Sequence, residues 1–148
     1  MSEPEYVYVA SSWRNYTQQA VVHALRRCGI DCYDFRNPDP GTPGFVWDDV
    51  DPGWQNWATE EYVKLLNHPV AELGYTRDYD AMLRADTFVL VQPCGASAHL
   101  EFGWAVGAGK RTAVLLSDSD FRPDLMLKMA NYLAPNLFNL LGWLGVED

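Results

Sequence analysis

The run Thr87–Val91 (TFVLV) carries no charge and shows no alternation of apolar with polar residues. A strand with one wet face alternates, whereas a strand covered on both faces does not. Such a run therefore belongs in the middle of a parallel sheet. Parallel neighbours need crossover connections, usually helical, and the flanking sequence supplies them. Tyr6–Ala10 (YVYVA), 30–35 and 111–116 read as further strands. Between the first two, Ala20, Val21, Ala24, Leu25 and Cys28 fall at three- and four-residue spacing, which predicts a helix over 14–28 stopped by Gly29. Helices are also expected at 59–66 with Thr59 as N-cap, at 77–84, at 97–108 with Ser97 as N-cap and Gly109 as stop, at 123–132 after Pro123, and at 137–144. Residues 67–74 read as a turn region.

Alternating strands and helices predict an α/β fold. The expected form is a single-domain, flavodoxin-like or Rossmann-like parallel sheet of about five strands, with helices on both faces. Length agrees, since 148 residues suit one domain with one core. The stretch 37–57 interrupts the alternation. It holds Pro38, Pro40, Pro43 and Pro52, three glycines, and Trp47, Trp54 and Trp57. Tryptophans in so long a loop must be buried or bind something, so the stretch is expected to line or cover a site.

The net charge is −9, with 20 acidic residues against 11 Lys plus Arg. Nucleic-acid polymers bind clustered cations, so they are not expected partners. No apolar run approaches the roughly 18–20 residues that span a bilayer, and no membrane association is expected. The first residues, MSEPEYVYVA, are acidic and enter a strand pattern at once, which does not match a secretory leader. Cys28, Cys32 and Cys94 are an odd number, and the economical reading is a cytoplasmic protein with reduced thiols.

In open parallel sheets, ligands sit beyond the carboxyl ends of the strands. Glu101 follows the central strand and a short turn, so it is expected in or just after the first turn of its helix. The positive end of the helix dipole there suits a carboxylate. It is a candidate nucleophile, or it merely complements the dipole. Asp78 and Asp80 are expected at the start of the preceding helix, either as caps or as the acid that opposes Glu101. Glycoside chemistry needs such a pair, one carboxylate to attack the anomeric carbon and one acid to protonate the departing atom. Tyr8, Ser11, Ser12, Trp13 and Asn15 surround the end of the first strand, and Gly95 and Ser97 lie in the turn before Glu101. These are the candidate substrate-binding residues.

Several motifs fail. A phosphate loop ending at Gly109-Lys110 needs glycine where Trp104 stands and a hydroxyl where Arg111 stands. His99-x-Glu101 lacks the downstream cysteine pair of zinc deaminases. Cys28 and Cys32 have no matching ligand pair, so neither a metal nor a cofactor is expected. Cys94 with His99 as base is a minor alternative nucleophile.

The segment 77–110, RDYDAMLRADTFVLVQPCGASAHLEFGWAVGAGK, resembles the nucleoside 2-deoxyribosyltransferase superfamily at Asp78, Ala85-Asp86, Glu101-Phe102-Gly103 and Gly109-Lys110. The opening YVYVASSW is similar to that family's first strand and sugar-binding loop. The resemblance implies that Glu101 displaces the base to form a glycosyl-enzyme and that Asp78 helps protonate the leaving base, with Asp80 as competitor. It also implies a homodimer or higher homo-oligomer in which Asn131 is lent to the neighbouring subunit's site. Gly95, Ala96 and Ser97 stand where many members carry an acidic residue, and look more like the related nucleotide N-glycoside hydrolases, which hold a 5′-phosphate. The substrate implied is a small nucleoside or nucleotide. A non-catalytic nucleotide-sensing domain and a TIR-like NAD hydrolase are the alternatives. Trp104, Leu140, Leu141, Trp143 and Leu144 are apolar residues expected outside the core, where a partner copy would cover them.

Overall fold

The computed structural model describes residues 2–118 and 121–146. Its strands are β1 (Tyr6–Ala10), β2 (Asp31–Asp34), β3 (Thr87–Val91), β4 (Arg111–Leu115) and β5 (Tyr132–Ala134). They form one five-stranded sheet in the order β2-β1-β3-β4-β5, with every neighbouring pair parallel. The uninterrupted TFVLV run is the middle strand, and all five of its residues are buried. The expected α/β sheet is therefore observed in its flavodoxin-like order.

Two faces of the sheet carry different packing. On one, Val7, Val9, Val89, Val91, Ala113 and Leu115 form a single cluster with helix α1 (Thr17–Arg27) and the C-terminal helix (Leu137–Leu144). On the other, Tyr8 stacks between Tyr33 and Phe88 at centroid distances of 5.2 and 4.9 Å, and Phe88 meets Trp104. Trp104 lies on the helix Ala96–Gly107. Each such side chain contributes about 1.5–3 kcal/mol on leaving water.

Leu140, Leu141 and Leu144 belong to this core at 5% exposure or less, and Trp143 stacks on Tyr132. The three leucines need no partner copy to cover them, so they lend no support to the expected homo-oligomer. The periodicity that brings 137, 140, 141 and 144 onto one helix face is that of a docking helix.

A second compact unit, Phe35–Leu83, is set within the chain, and the remaining described residues make up the sheet unit. The Pro- and Trp-rich stretch is the first part of this inserted unit. Helices α2 (Thr59–Leu65) and α3 (Pro69–Arg84) follow, and α4 and α5 are then Ala96–Gly107 and Leu137–Leu144. Four local expectations differ from what is seen. Residues 69–74 are helical rather than a turn region, because α3 runs straight through Gly74. The α2 N-cap is Ala58, whose N–H donates to the Glu61 carboxylate at 3.2 Å, and the α4 N-cap is Gly95 rather than Ser97. The segment after Pro123 is a short 3-10 helix, Leu125–Met129, followed by β5 rather than by more helix. Gly29 and Gly109 do stop their helices, at φ of +82° and +76°, where a side chain is strained.

Candidate active site

The order β2-β1-β3 reverses the winding direction between β1 and β3. Helix α1 leaves β1 toward one face and α4 leaves β3 toward the other, the arrangement beside which open parallel sheets bind ligands. The residues singled out around β1 and β3 line this carboxyl edge.

Glu101 is the sixth residue of α4, in its second turn rather than its first, and is half-buried. The dipole acts mainly within the first turn, so it contributes less here than the sequence suggested. The carboxylate is held instead by the hydroxyl of Tyr8, which donates to Oε2. Tyr8 is 1% exposed and its ring is fixed by the stack described above. The aromatic face of the sheet thus orients a carboxylate across the switch point.

Asn15 is a loop tie. Its Nδ2 donates to the carbonyls of Val91 (3.3 Å) and Pro93 (3.1 Å), and its Oδ1 accepts from the Thr17 N–H (3.0 Å). Ser11 Oγ also donates to the Val91 carbonyl, at 2.8 Å. These bonds fasten the loop after β1 to the loop after β3. Ser12 Oγ accepts from the Arg14 N–H, and Trp13 is 41% exposed. Gly95 and Ser97 are both exposed at the start of α4.

Cys94 and His99 do meet, with Sγ 3.8 Å from Nδ1. The same Nδ1 lies 2.8 Å from the Gly95 carbonyl. A carbonyl only accepts, so Nδ1 carries the proton and cannot take one from sulfur. Burial, and then the negative charge of Glu101, push the Cys94 thiol up to about 11. A nucleophilic thiolate is disfavoured at this position.

Asp78 and Asp80 belong to the inserted unit. They are the tenth and twelfth of the sixteen residues of α3, so neither is the helix cap considered above. Asp78 is half-buried and Asp80 exposed. Asp78 lines a cavity of about 590 Å³ whose walls include Phe45, Trp47, Leu66, Glu72 and Tyr75. Of the three tryptophans in the insertion, Trp47 lines this cavity. Trp54 and Trp57 bind Asp48 and Asp51 through their indole N–H groups, and the Trp57 and Gly53 bonds hold the Asp51 carboxyl below its usual value.

Asn131 is engaged within its own chain. Its Oδ1 accepts from the Thr112 N–H at 2.9 Å, and its N–H donates to Thr112 Oγ1 at 3.1 Å. Asp86 lies at the amino end of β3, away from the carboxyl edge of the sheet, and accepts from the Glu5 N–H and the Thr87 hydroxyl. Among the described residues no group of three or more His, Cys, Asp or Glu is placed to hold a metal ion, and no helix is long and apolar enough to cross a membrane. The Tyr8–Glu101 contact and the Asn15 tie were missed in the sequence. They join residues more than 70 positions apart, and only the strand order reveals them.

No protein-family model matches the chain, and no curated protein matches it. Among solved structures it is similar to a 2-deoxyribosyltransferase from the psychrotolerant bacterium Bacillus psychrosaccharolyticus. That match has 14% identity and a TM-score of 0.57, and covers 96% of this chain and 97% of that chain. It is also similar to the CMP N-glycosidase of Clostridium botulinum, at 18% identity and a TM-score of 0.50, over 95% of this chain and 98% of that chain. The chain therefore shares the fold of these two structures.

Proposed function

We propose that this protein breaks the N-glycosidic bond of a nucleoside or nucleotide, by 2-deoxyribosyl transfer or hydrolysis, with Glu101 as nucleophile. The observation that carries this reading is a half-buried carboxylate at the switch point of the sheet, oriented by a buried tyrosine hydroxyl. The motif resemblance over 77–110 and a fold shared with two enzymes of this chemistry support it.

In the first step a Glu101 oxygen attacks the anomeric carbon while the bond to the base breaks. The electron pair of that bond leaves with the base, which takes a proton, assigned by the motif to Asp78 with Asp80 as competitor. In the second step a new base, or water, attacks the same carbon and releases the carboxylate. Tyr8 keeps that carboxylate in one orientation throughout, the kind of pre-organisation that lowers the barrier without moving protein groups. Ser11, Ser12, Trp13, Gly95 and Ser97 are assigned to sugar, phosphate or base contacts, and Asn131 to the site of a partner copy.

A homo-oligomer is part of this reading, and Phe138 (84% exposed), Leu125 (81%) and Leu100 (75%) are the apolar groups that such a contact would cover. Light scattering at micromolar concentration tests it, and a monomer contradicts it.

The function is tested by incubating wild-type protein and Glu101→Gln with deoxynucleosides, their monophosphates and NAD, and measuring free base. The expected result is base release from a nucleoside or nucleotide that falls by several orders of magnitude in the variant. Binding without release from any of them favours a nucleotide sensor, and release from NAD alone favours the TIR-like alternative.

A further inference from the structure

Glu101 stands on α4, so whatever fixes the start of that helix fixes the height of the carboxylate above the sheet. The lateral position of α4 is set by Ala98, Phe102 and Ala105, which are buried. Apolar packing is non-directional. The advance of the helix along its own axis is therefore left to the loop 92–95 that leads into it, and Pro93 and Gly95 of that loop are exposed.

Directional bonds hold this loop. The Gln92 N–H donates to the Leu115 carbonyl of β4 at 3.1 Å, and the Gly95 carbonyl accepts from His99 Nδ1 at 2.8 Å. Between these two points the Asn15 amide spans the carbonyls of Val91 and Pro93, at 3.3 and 3.1 Å. Ser11 Oγ shares the Val91 carbonyl, and the bond to Pro93 comes from Asn15. Two carbonyls require N–H groups and the Thr17 N–H requires an oxygen, so the network fixes which way the amide points. Both amide hydrogens have protein acceptors. The donor that a sugar hydroxyl or a phosphate would use is already engaged with the backbone. Asparagine is the shortest side chain that offers two donors and an acceptor at once.

We propose that Asn15 is a positioning residue for Glu101: by fixing the Val91 and Pro93 carbonyls it sets where α4 begins, and so where the carboxylate meets the anomeric carbon. The role in the reaction rests on the function proposed above, with Glu101 as nucleophile. A reacting atom displaced by about 1 Å costs about a hundredfold in rate. Contacts that hold the ligand elsewhere are untouched by such a shift. The loss therefore falls on kcat and leaves KM nearly unchanged.

The test compares wild type, Asn15→Asp and Leu140→Ala. Asn15→Asp keeps the shape and the acceptor for Thr17 but removes both donors. Leu140→Ala loosens the core on the other face of the sheet, in the cluster with α1 and α5. Kinetics are measured on the nucleoside or nucleotide that the wild type cleaves, at a temperature where circular dichroism shows every variant folded. Asn15→Asp is expected to lower kcat by about ten- to a hundredfold, with KM within about threefold of wild type. Leu140→Ala is expected to keep kcat within about twofold. Hydrogen exchange gives a second readout: Asn15→Asp should speed exchange of the amides over 92–101 and leave α5 as in the wild type, while Leu140→Ala leaves 92–101 unchanged. Asn15→Ser can still accept from the Thr17 N–H but is too short to span two carbonyls. It carries the same expectations should Asn15→Asp not fold.

A kcat in the Asn15 variant within about twofold of wild type overturns the proposal. So does a rise in KM alone, which marks a ligand contact, and so does an equal loss of kcat in Leu140→Ala, which marks general loosening. The two readings fail separately. If the wild type releases no base from any substrate, the proposed function fails and exchange decides the tie. Unchanged exchange over 92–101 then overturns it, and faster exchange leaves Asn15 as the residue that holds the start of α4.

Discussion

Replacing Asn15 with alanine should destabilise the protein rather than merely weaken a ligand. The side chain is 8% exposed and makes three hydrogen bonds to the chain. Losing the acceptor for the Thr17 N–H removes a cap-like bond at the start of α1, about 1 kcal/mol. The Pro93 carbonyl loses its donor, and an unmade bond to a half-buried carbonyl costs about 1–2 kcal/mol. The Val91 carbonyl keeps the Ser11 hydroxyl, so its share is smaller, roughly 0.5 kcal/mol. The sum is about 2–4 kcal/mol, or a fall in Tm of roughly 5–15 °C for a chain of this length. Asn15→Asp should be no better, because it keeps the acceptor but turns a carboxylate oxygen toward two carbonyls. Thermal unfolding followed by circular dichroism measures the effect. A change in Tm within about 1 °C for both variants would refute the reasoning, and would return Asn15 to the role of a ligand contact suggested by its position after β1.

Leu140→Ala, in the cluster beneath β4 and β5, should cost about 2–5 kcal/mol by denaturant unfolding, far more than truncation of the exposed Phe138. Alkylation of Cys94, followed by peptide mass mapping, should still be rising about tenfold per pH unit between pH 9 and 10, where an ordinary thiol levels off, because its thiol titrates near 11. In Glu101→Gln that rise should begin at lower pH, since the neighbouring charge that helps hold the proton is gone. Asp78→Asn should slow the release of poor leaving bases more than that of good ones, measured over a series of substituted bases.

The fold was legible where the chemistry is local. An uncharged five-residue run announced the central strand, and Gly29 and Gly109 announced two helix ends. It was illegible where a distant residue sets the local structure. Residues 67–74 read as a turn region, yet 69–74 are helical, and the residue that packs against Gly74, Phe45, lies far back in the chain. Strand β5 has only three residues, and is guided by the bonds between Asn131 and Thr112 across the sheet rather than by its own pattern. The candidate site divides in the same way. Glu101 could be found by its place after the central strand. That Tyr8 orients it and that Asn15 ties the loops together depend on the juxtaposition of β1 and β3, which no spacing encodes.

The central claim is that Glu101 forms a bond to the sugar. A nucleoside or nucleotide bearing 2-fluoro-2-deoxyribose and a good leaving base offers the most direct test, because the fluorine slows breakdown of the ester by destabilising its oxocarbenium-like transition state. Intact-protein mass spectrometry of the wild type should show one added fluorodeoxyribosyl group, and peptide mapping should locate it on Glu101, with no adduct in Glu101→Gln. Turnover in the wild type that persists undiminished in Glu101→Gln, or an adduct mapped to another residue, would contradict the account.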